Sequence, residues 1–450
     1  MRAAARRAAA TAVALAATLA AAPAAPAATG DWPTFGGTPD RRLVVATTTL
    51  RPATAPRTRR AWVAQLDGAV AGSPIVLGPE RLVVLGTNAG SLYALDLATG
   101  AVRWRRQLGA VESTTCHGLI RPGTDGTVGL YGVSAAPVLD PETRVVYAAD
   151  VFGVVYGIEP LRGDDVPGWP RQVLPAGAGE HPWGALTLAA GRLYVPTGAL
   201  CSSSAGGGRM VVHDVATGAV RAFDPTPAVA AGPTAWGIGG ATIDALTGDV
   251  WVAVGPAPGA SPFGGRIVRL SADLGPLTRS ARPPERDRGY AAAPVLLHPA
   301  GCPALVMALS RSGRLDVLRR DRLASRPVAR ADLAIELAGT PTWDAASGRV
   351  IVQTSLGTRA FRFARGCRLR LAWRRTDGAS TASVVAGGGV GVSAVRELRL
   401  LRLRDGRRLA RLPFRGDDSG VALAAPAVSG PWIVTATTGG FAYGFRVPAR

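Results

Sequence analysis

The sequence predicts an all-β fold, an eight-bladed β-propeller of four-stranded antiparallel blades closed by an N-terminal strand, with seven blades the alternative. Three observations predict it. Strand-rich units of roughly 42 to 63 residues repeat to the C-terminus, a period typical of propellers. Each unit opens on a short strand of small residues, as a narrow central channel requires. The last unit stops at Val447 without a fourth strand, whereas Ala61 to Leu66 reads as a strand with no sheet of its own.

In chain order, Arg2, Arg6 and Arg7 precede an Ala-rich apolar stretch from Ala8 to Ala22 and a small-x-small site at Ala25-Pro26-Ala27. This pattern predicts a secretory signal over 1–27. No cysteine lies within or just after it, so a lipid anchor is not expected, and no later stretch approaches the roughly 18 apolar residues of a membrane span. The expected product is secreted or extracytoplasmic. Residues 28–60 read as an N-terminal arm, whose Pro-, Thr- and Arg-rich segment from Leu43 to Arg60 is expected to hug the surface. Residues 61–450 form one propeller domain.

The inner strands start at Ser73, Ala136, Ala185, Ala241, Ala293, Thr340, Ala382 and Ala425. Proline follows five of these starts, a place where a strand tolerates it. β-Branched second strands and alternating third strands follow, as in Ala360-Phe-Arg-Phe363. The clearest unit is Leu82 to Trp104, where Asn88-Ala-Gly90 and Thr99-Gly100 turn three strands. The unit at Ala382 is the shortest and most degenerate, which keeps seven blades open. Pairing the first strand with the last unit hides two edges.

The net charge is +20, or +17 without the three signal arginines, and every cation is arginine. They are read as ordinary solvated positions spread along the chain, so no specific nucleic-acid binding is expected. The four histidines have no metal-ligand spacing, and no Gly-x-Ser-x-Gly elbow occurs. Cys116, Cys201, Cys302 and Cys367 form no Cys-x-x-Cys pair, which argues against zinc and thiol redox chemistry. Four cysteines allow three connectivities. Cys116 with Cys201 and Cys302 with Cys367 are the expected disulfides, because each pair lies in neighbouring units.

Ala94-Leu-Asp96-Leu-Ala-Thr99-Gly100-Ala-Val-Arg-Trp104 resembles the repeat of pyrroloquinoline-quinone-type (PQQ-like) propellers. His213-Asp214-Val-Ala-Thr217-Gly218 is a partial copy with Ala222 in place of the tryptophan, and Asp31-Trp32-Pro33-Thr-Phe-Gly36 is similar to the start of secreted members. The resemblance implies that Trp104 docks between blades. Relatives include quinone-dependent alcohol dehydrogenases and scaffold proteins of the bacterial envelope. The dehydrogenase reading calls for PQQ, calcium held by Glu, Asn and Asp oxygens, an Asp base and adjacent cysteines. Here no cysteines are adjacent and Asn88 is the sole asparagine.

Three residues before equivalent inner-strand positions stand His181, Trp236 and Tyr290, whereas the other five units carry aliphatic residues there. With Trp183 and Arg288 they predict an asymmetric ring patch at one mouth of the channel, suited to stacking on a ligand. The expected function is thus an exported, non-catalytic binding or scaffold module for a protein, glycan or other cell-envelope component, a monomer without cofactor. The alternative is a PQQ-dependent alcohol or sugar dehydrogenase.

Overall fold

The computed structural model describes residues 30–113, 119–120, 129–175, 179–199, 208–225, 237–255, 261–281, 289–290, 292–310, 312–333, 339–354, 356–376 and 382–449. Seven blades are continuous in sequence, each a meander of adjacent antiparallel strands. Blade 1 comprises Ile75–Leu77, Leu82–Gly86, Ser91–Asp96 and Val102–Gln107, and blades 2 to 7 repeat the pattern from inner strands Val138–Leu139, Thr187–Ala189, Thr242–Ile243, Val295–Leu297, Thr342–Asp344 and Val384–Ala386. Blade 8 holds Ala427–Ser429, Trp432–Ala436 and Phe441–Arg446, and its fourth strand is Arg59–Gln65. That pairing runs antiparallel from Arg59 opposite Arg446 to Gln65 opposite Phe441. The ring therefore has eight blades and closes through its N-terminal strand.

All eight small residues that start the inner strands are buried. Their size is required: a Cβ on Gly72 would lie 2.8 Å from the Ala136 nitrogen, and one on Gly239 2.8 Å from the Ala293 Cβ.

Neighbouring blades are pinned by a recurring device. Trp104 on the outer strand of blade 1 donates from Nε1 to the Pro160 carbonyl at 2.7 Å and covers Gly163 of blade 2. Trp62 does the same to Leu97 O at 2.9 Å and Gly100, and Trp373 to Leu403 O at 2.7 Å and Gly406. In each case the glycine stands three residues after the acceptor and has positive φ, between 72° and 82°. A side chain there would meet the indole within 2.8 Å. Where blade 2 meets blade 3, Arg171 substitutes, donating to Val215 O at 3.1 Å. Asp96 holds the turn below by accepting from the Ala98 and Thr99 amides and the Thr99 hydroxyl, and these bonds with the Arg103 ion pair bring its pKa down to about 2 against its partial burial. A disulfide joins Cys302 of blade 5 to Cys367 of blade 6, with Cα atoms 5.7 Å apart. Cys116 and Cys201 lie outside the described residues.

The arm follows the surface only in its second half, where Ala46, Thr47, Arg51, Ala53, Pro56 and Arg57 are exposed around buried Leu50 and Ala55; its first half is threaded into the mouth of the channel, and Trp32, Phe35, Arg41 and Leu43 are buried. It laces inner strands in succession: Trp32 with Val76, Pro33 O with the Leu139 amide, the Thr34 hydroxyl with Leu186 O, Pro39 O with the Ile243 amide, Leu43 O with the Val385 amide and Gly430 O with the Thr49 amide. Val44–Val45 then runs parallel to Val385–Ala386. The apolar residues satisfy burial, and backbone pairing satisfies the arm's amides and carbonyls.

Candidate functional site

The two ends of the channel differ. The arm occupies the end to which the inner strands run, and the loops that enter those strands form the other end, together with the turns between second and third strands. The arm reaches far into the channel. Phe35 is fully buried, with a ring carbon 2.9 Å from where a Gly239 Cβ would stand, next to Ala293 and Thr340. Arg41 lies beside it without a carboxylate partner. Its Nε donates to Ala241 O at 3.0 Å, Nη1 to Phe35 O and the Thr34 hydroxyl, and Nη2 to Leu186 O and the Thr187 hydroxyl. Burial lowers its pKa to about 9, yet five acceptors hold the guanidinium in place.

At the loop end, five blades carry carboxylates close to the start of their third strands. Asp67 accepts from Thr87, Ser91 and Arg105. Asp150 accepts from the Phe152 and Val154 amides at 2.9 and 3.0 Å and from Tyr156, and burial pushes its pKa up while raising Tyr156 to about 12. Glu180 accepts from the Thr197 hydroxyl at 2.7 Å and from Arg209 at 3.1 Å. Asp316 is bound by Tyr290 at 2.9 Å and by Arg314 and Arg330 at 2.8 Å each. Asp418 takes Tyr443 at 2.7 Å, Thr437 at 2.9 Å and the Gly420 amide. Each accepts at least three hydrogen bonds from donors of its own chain.

Of the ring patch, His181 and Tyr290 are buried, Trp183 is half-buried, and Trp236 and Arg288 lie outside the described residues. Tyr290 packs among Trp251, Ile267 and Val306, and its hydroxyl is committed to Asp316, so burial raises its pKa well above the usual value. His181 stands edge-on to Tyr131 and Trp183, with centroids 5.1 and 6.1 Å away, and neither ring nitrogen makes a well-formed hydrogen bond. Burial lowers its pKa to about 4. An unfolded imidazole takes up its proton near pH 6.5. Between those values the unfolded chain binds more protons, so His181 removes stability as pH falls from 6.5 toward 4. Denaturant unfolding at pH 7 and 4.5 should show a loss of roughly 2–3 kcal/mol from this group. His181→Phe should remove that part of the pH dependence; an unchanged slope would show that the ring is not held neutral.

A tricarboxylate quinone with calcium requires free carboxylate and amide oxygens that converge at this mouth. The described residues do not fit it. No group of three or more His, Cys, Asp or Glu among them comes together to hold a metal ion. Asn88, the sole asparagine, is buried and engaged at both ends, donating to Leu130 O at 2.8 Å and accepting from Ser134 at 3.1 Å. No helix among the described residues is long and apolar enough to cross a membrane.

Eight blades, indole docking and the Asp-x-x-Thr-Gly turn define a PQQ-like propeller. Residues 18–241 match the family profile described as outer membrane protein assembly factor BamB, and the chain belongs to the PQQ-like β-propeller family. Quinohaemoprotein alcohol dehydrogenase from Comamonas testosteroni is similar in fold, at TM-score 0.69 and 14% identity over 96% of this chain and 81% of that one. A quinohaemoprotein alcohol dehydrogenase of Pseudomonas putida HK5 gives the same TM-score and identity over 94% and 81%. A europium-containing methanol dehydrogenase matches at TM-score 0.69 and 12% identity over 93% and 98%. No curated protein matches in sequence.

Proposed function

We propose that this chain is an exported, non-catalytic propeller that binds a protein or polymer of the cell envelope, without quinone or metal. The observation that carries this reading is that five carboxylates described at the loop end are each engaged by arginines, tyrosines, hydroxyls or amides of the chain itself. A catalytic base needs a free lone pair aimed at substrate, and a calcium site needs several. The Cys302–Cys367 disulfide supports an oxidising compartment, and the description of the matching family profile supports an envelope role. The second reading, a quinone-dependent dehydrogenase, draws on the names of the similar structures alone. Incubation of the purified protein with calcium and the quinone, followed by desalting, should leave no visible chromophore and no alcohol-dependent reduction of a dye. A retained chromophore with dye reduction would overturn the proposal.

A further inference from the structure

Blades 6 and 7, from Thr342 to Pro413, hold fifteen arginines against four acidic residues. Across blade 6 the register sets Arg349 opposite Arg362, and Arg362 opposite Arg370, on three adjacent strands. Directly opposed residues share one face of a sheet, and like charges in that position are destabilising. The shared face is the one turned to blade 7: Ile351 and Ala360 lie two residues along from Arg349 and Arg362, and Trp373, brought onto the same face by the register shift beside Ala360, docks onto Leu403, while Arg349 donates to Arg404 O at 3.3 Å. Arg362, Arg370, Arg368 and Arg404 are exposed, and among the described residues no carboxylate pairs with any of the four or with Arg349. Elsewhere on these blades acids do compensate: Glu397 takes Arg399 and Arg411, and Asp405 takes Arg402.

We propose that this row binds a linear, phosphate-bearing polymer of the cell envelope lying along the rim between blades 6 and 7. Guanidinium forks take phosphate oxygens bidentately, and one phosphate accepts from more than one of them. Strands about 4.8 Å apart set the arginines in an extended line, which suits a chain of phosphates better than a single compact anion. A bound polyanion relieves the repulsion that the fold otherwise carries. This inference rests on the binding role proposed above and names the chemistry of its ligand.

The test uses the full mature protein with medium-chain inorganic polyphosphate as probe, titrated at several salt concentrations. Wild type should bind, with affinity falling as salt rises. Arg362→Gln with Arg370→Gln should weaken binding at least tenfold at low salt and reduce the log–log salt slope by about 1.4, from two lost contacts. Its melting temperature should hold or rise, since a repulsive pair is removed. Arg221→Gln with Arg326→Gln, which removes the same charge from exposed positions on blades 3 and 5, should leave binding within twofold. Equal weakening by both pairs, or no binding by wild type, would overturn the proposal. So would tighter binding to anionic phospholipid vesicles than to polyphosphate, since the ligand would then be a membrane surface. Quinone-dependent dye reduction alongside row-dependent polyphosphate binding would refute the non-catalytic reading and leave this one standing.

Discussion

Phe35→Ala should destabilise the protein by about 3–5 kcal/mol, the cost of truncating a fully buried ring that cannot be replaced by collapse of its surroundings. The surroundings here come from several blades: a Cβ built on Gly239 would meet the Phe35 ring at 2.9 Å, Ala293 at 2.8 Å and Thr340 at 3.1 Å, and these three residues lead into inner strands of three different blades, each held by its own ladder. Arg41 lies 5.7 Å over the same ring, so the truncation also opens the buried guanidinium to an empty space. Denaturant titration monitored by tryptophan fluorescence would measure the loss, with Phe35→Leu expected to cost less than about 1.5 kcal/mol. A cost below about 1 kcal/mol for Phe35→Ala would mean that the arm contributes little to the closed ring.

Trp62→Ala should cost a similar amount, about 3–5 kcal/mol, although its indole lies on an outer strand. Two glycines are shaped around it, Gly100 of blade 1 and Gly444 of its own blade, where a Cβ would fall 2.6 and 2.0 Å from ring atoms. Removing the ring also orphans the Leu97 carbonyl at the junction where the last blade meets the first. Trp104→Ala should cost less, since that side chain is only part-buried and sits between blades joined in sequence. Unfolding of the two variants side by side tests the ranking. If Trp104→Ala proves the more damaging, ring closure does not depend on the Trp62 contact.

The blades were legible because strand patterning and turn chemistry act locally: Asp96, Thr99 and Gly100 specify their hairpin within five residues. Closure was legible for a negative reason, an unpaired strand at one end and a missing one at the other. The docking roles of Trp62 and Trp373 went unread because the receiving glycines, Gly100 and Gly406, stand 38 and 33 residues downstream of them in another blade. A glycine four or five residues past the end of a third strand would have been the signal. The burial of the arm's first half was not legible because an arginine suggests a wet surface, whereas Arg41 is buried by spreading its charge over carbonyls and hydroxyls contributed by three segments. The opposed arginines of blade 6 needed strand register, since Arg349, Arg362 and Arg370 show no periodic spacing in sequence.

The bonds from Thr48 to Gly430 and from Ser429 to Gly30 join residues 382 and 399 positions apart. A ribosome therefore releases the clasp of this ring hundreds of residues before the hook it fastens to. Bringing such distant segments together costs about 5 kcal/mol of chain entropy, and long-range pairing slows folding. Blades 1 to 7 can assemble in order as they emerge, but the belt stays unbuckled until Phe441–Arg446 arrives, and the Arg59–Gln65 strand that carries Trp62 has no sheet in the meantime. A nascent chain cut short before blade 8 would be an open crescent with two bare edges, the form most exposed to aggregation and to holding by chaperones.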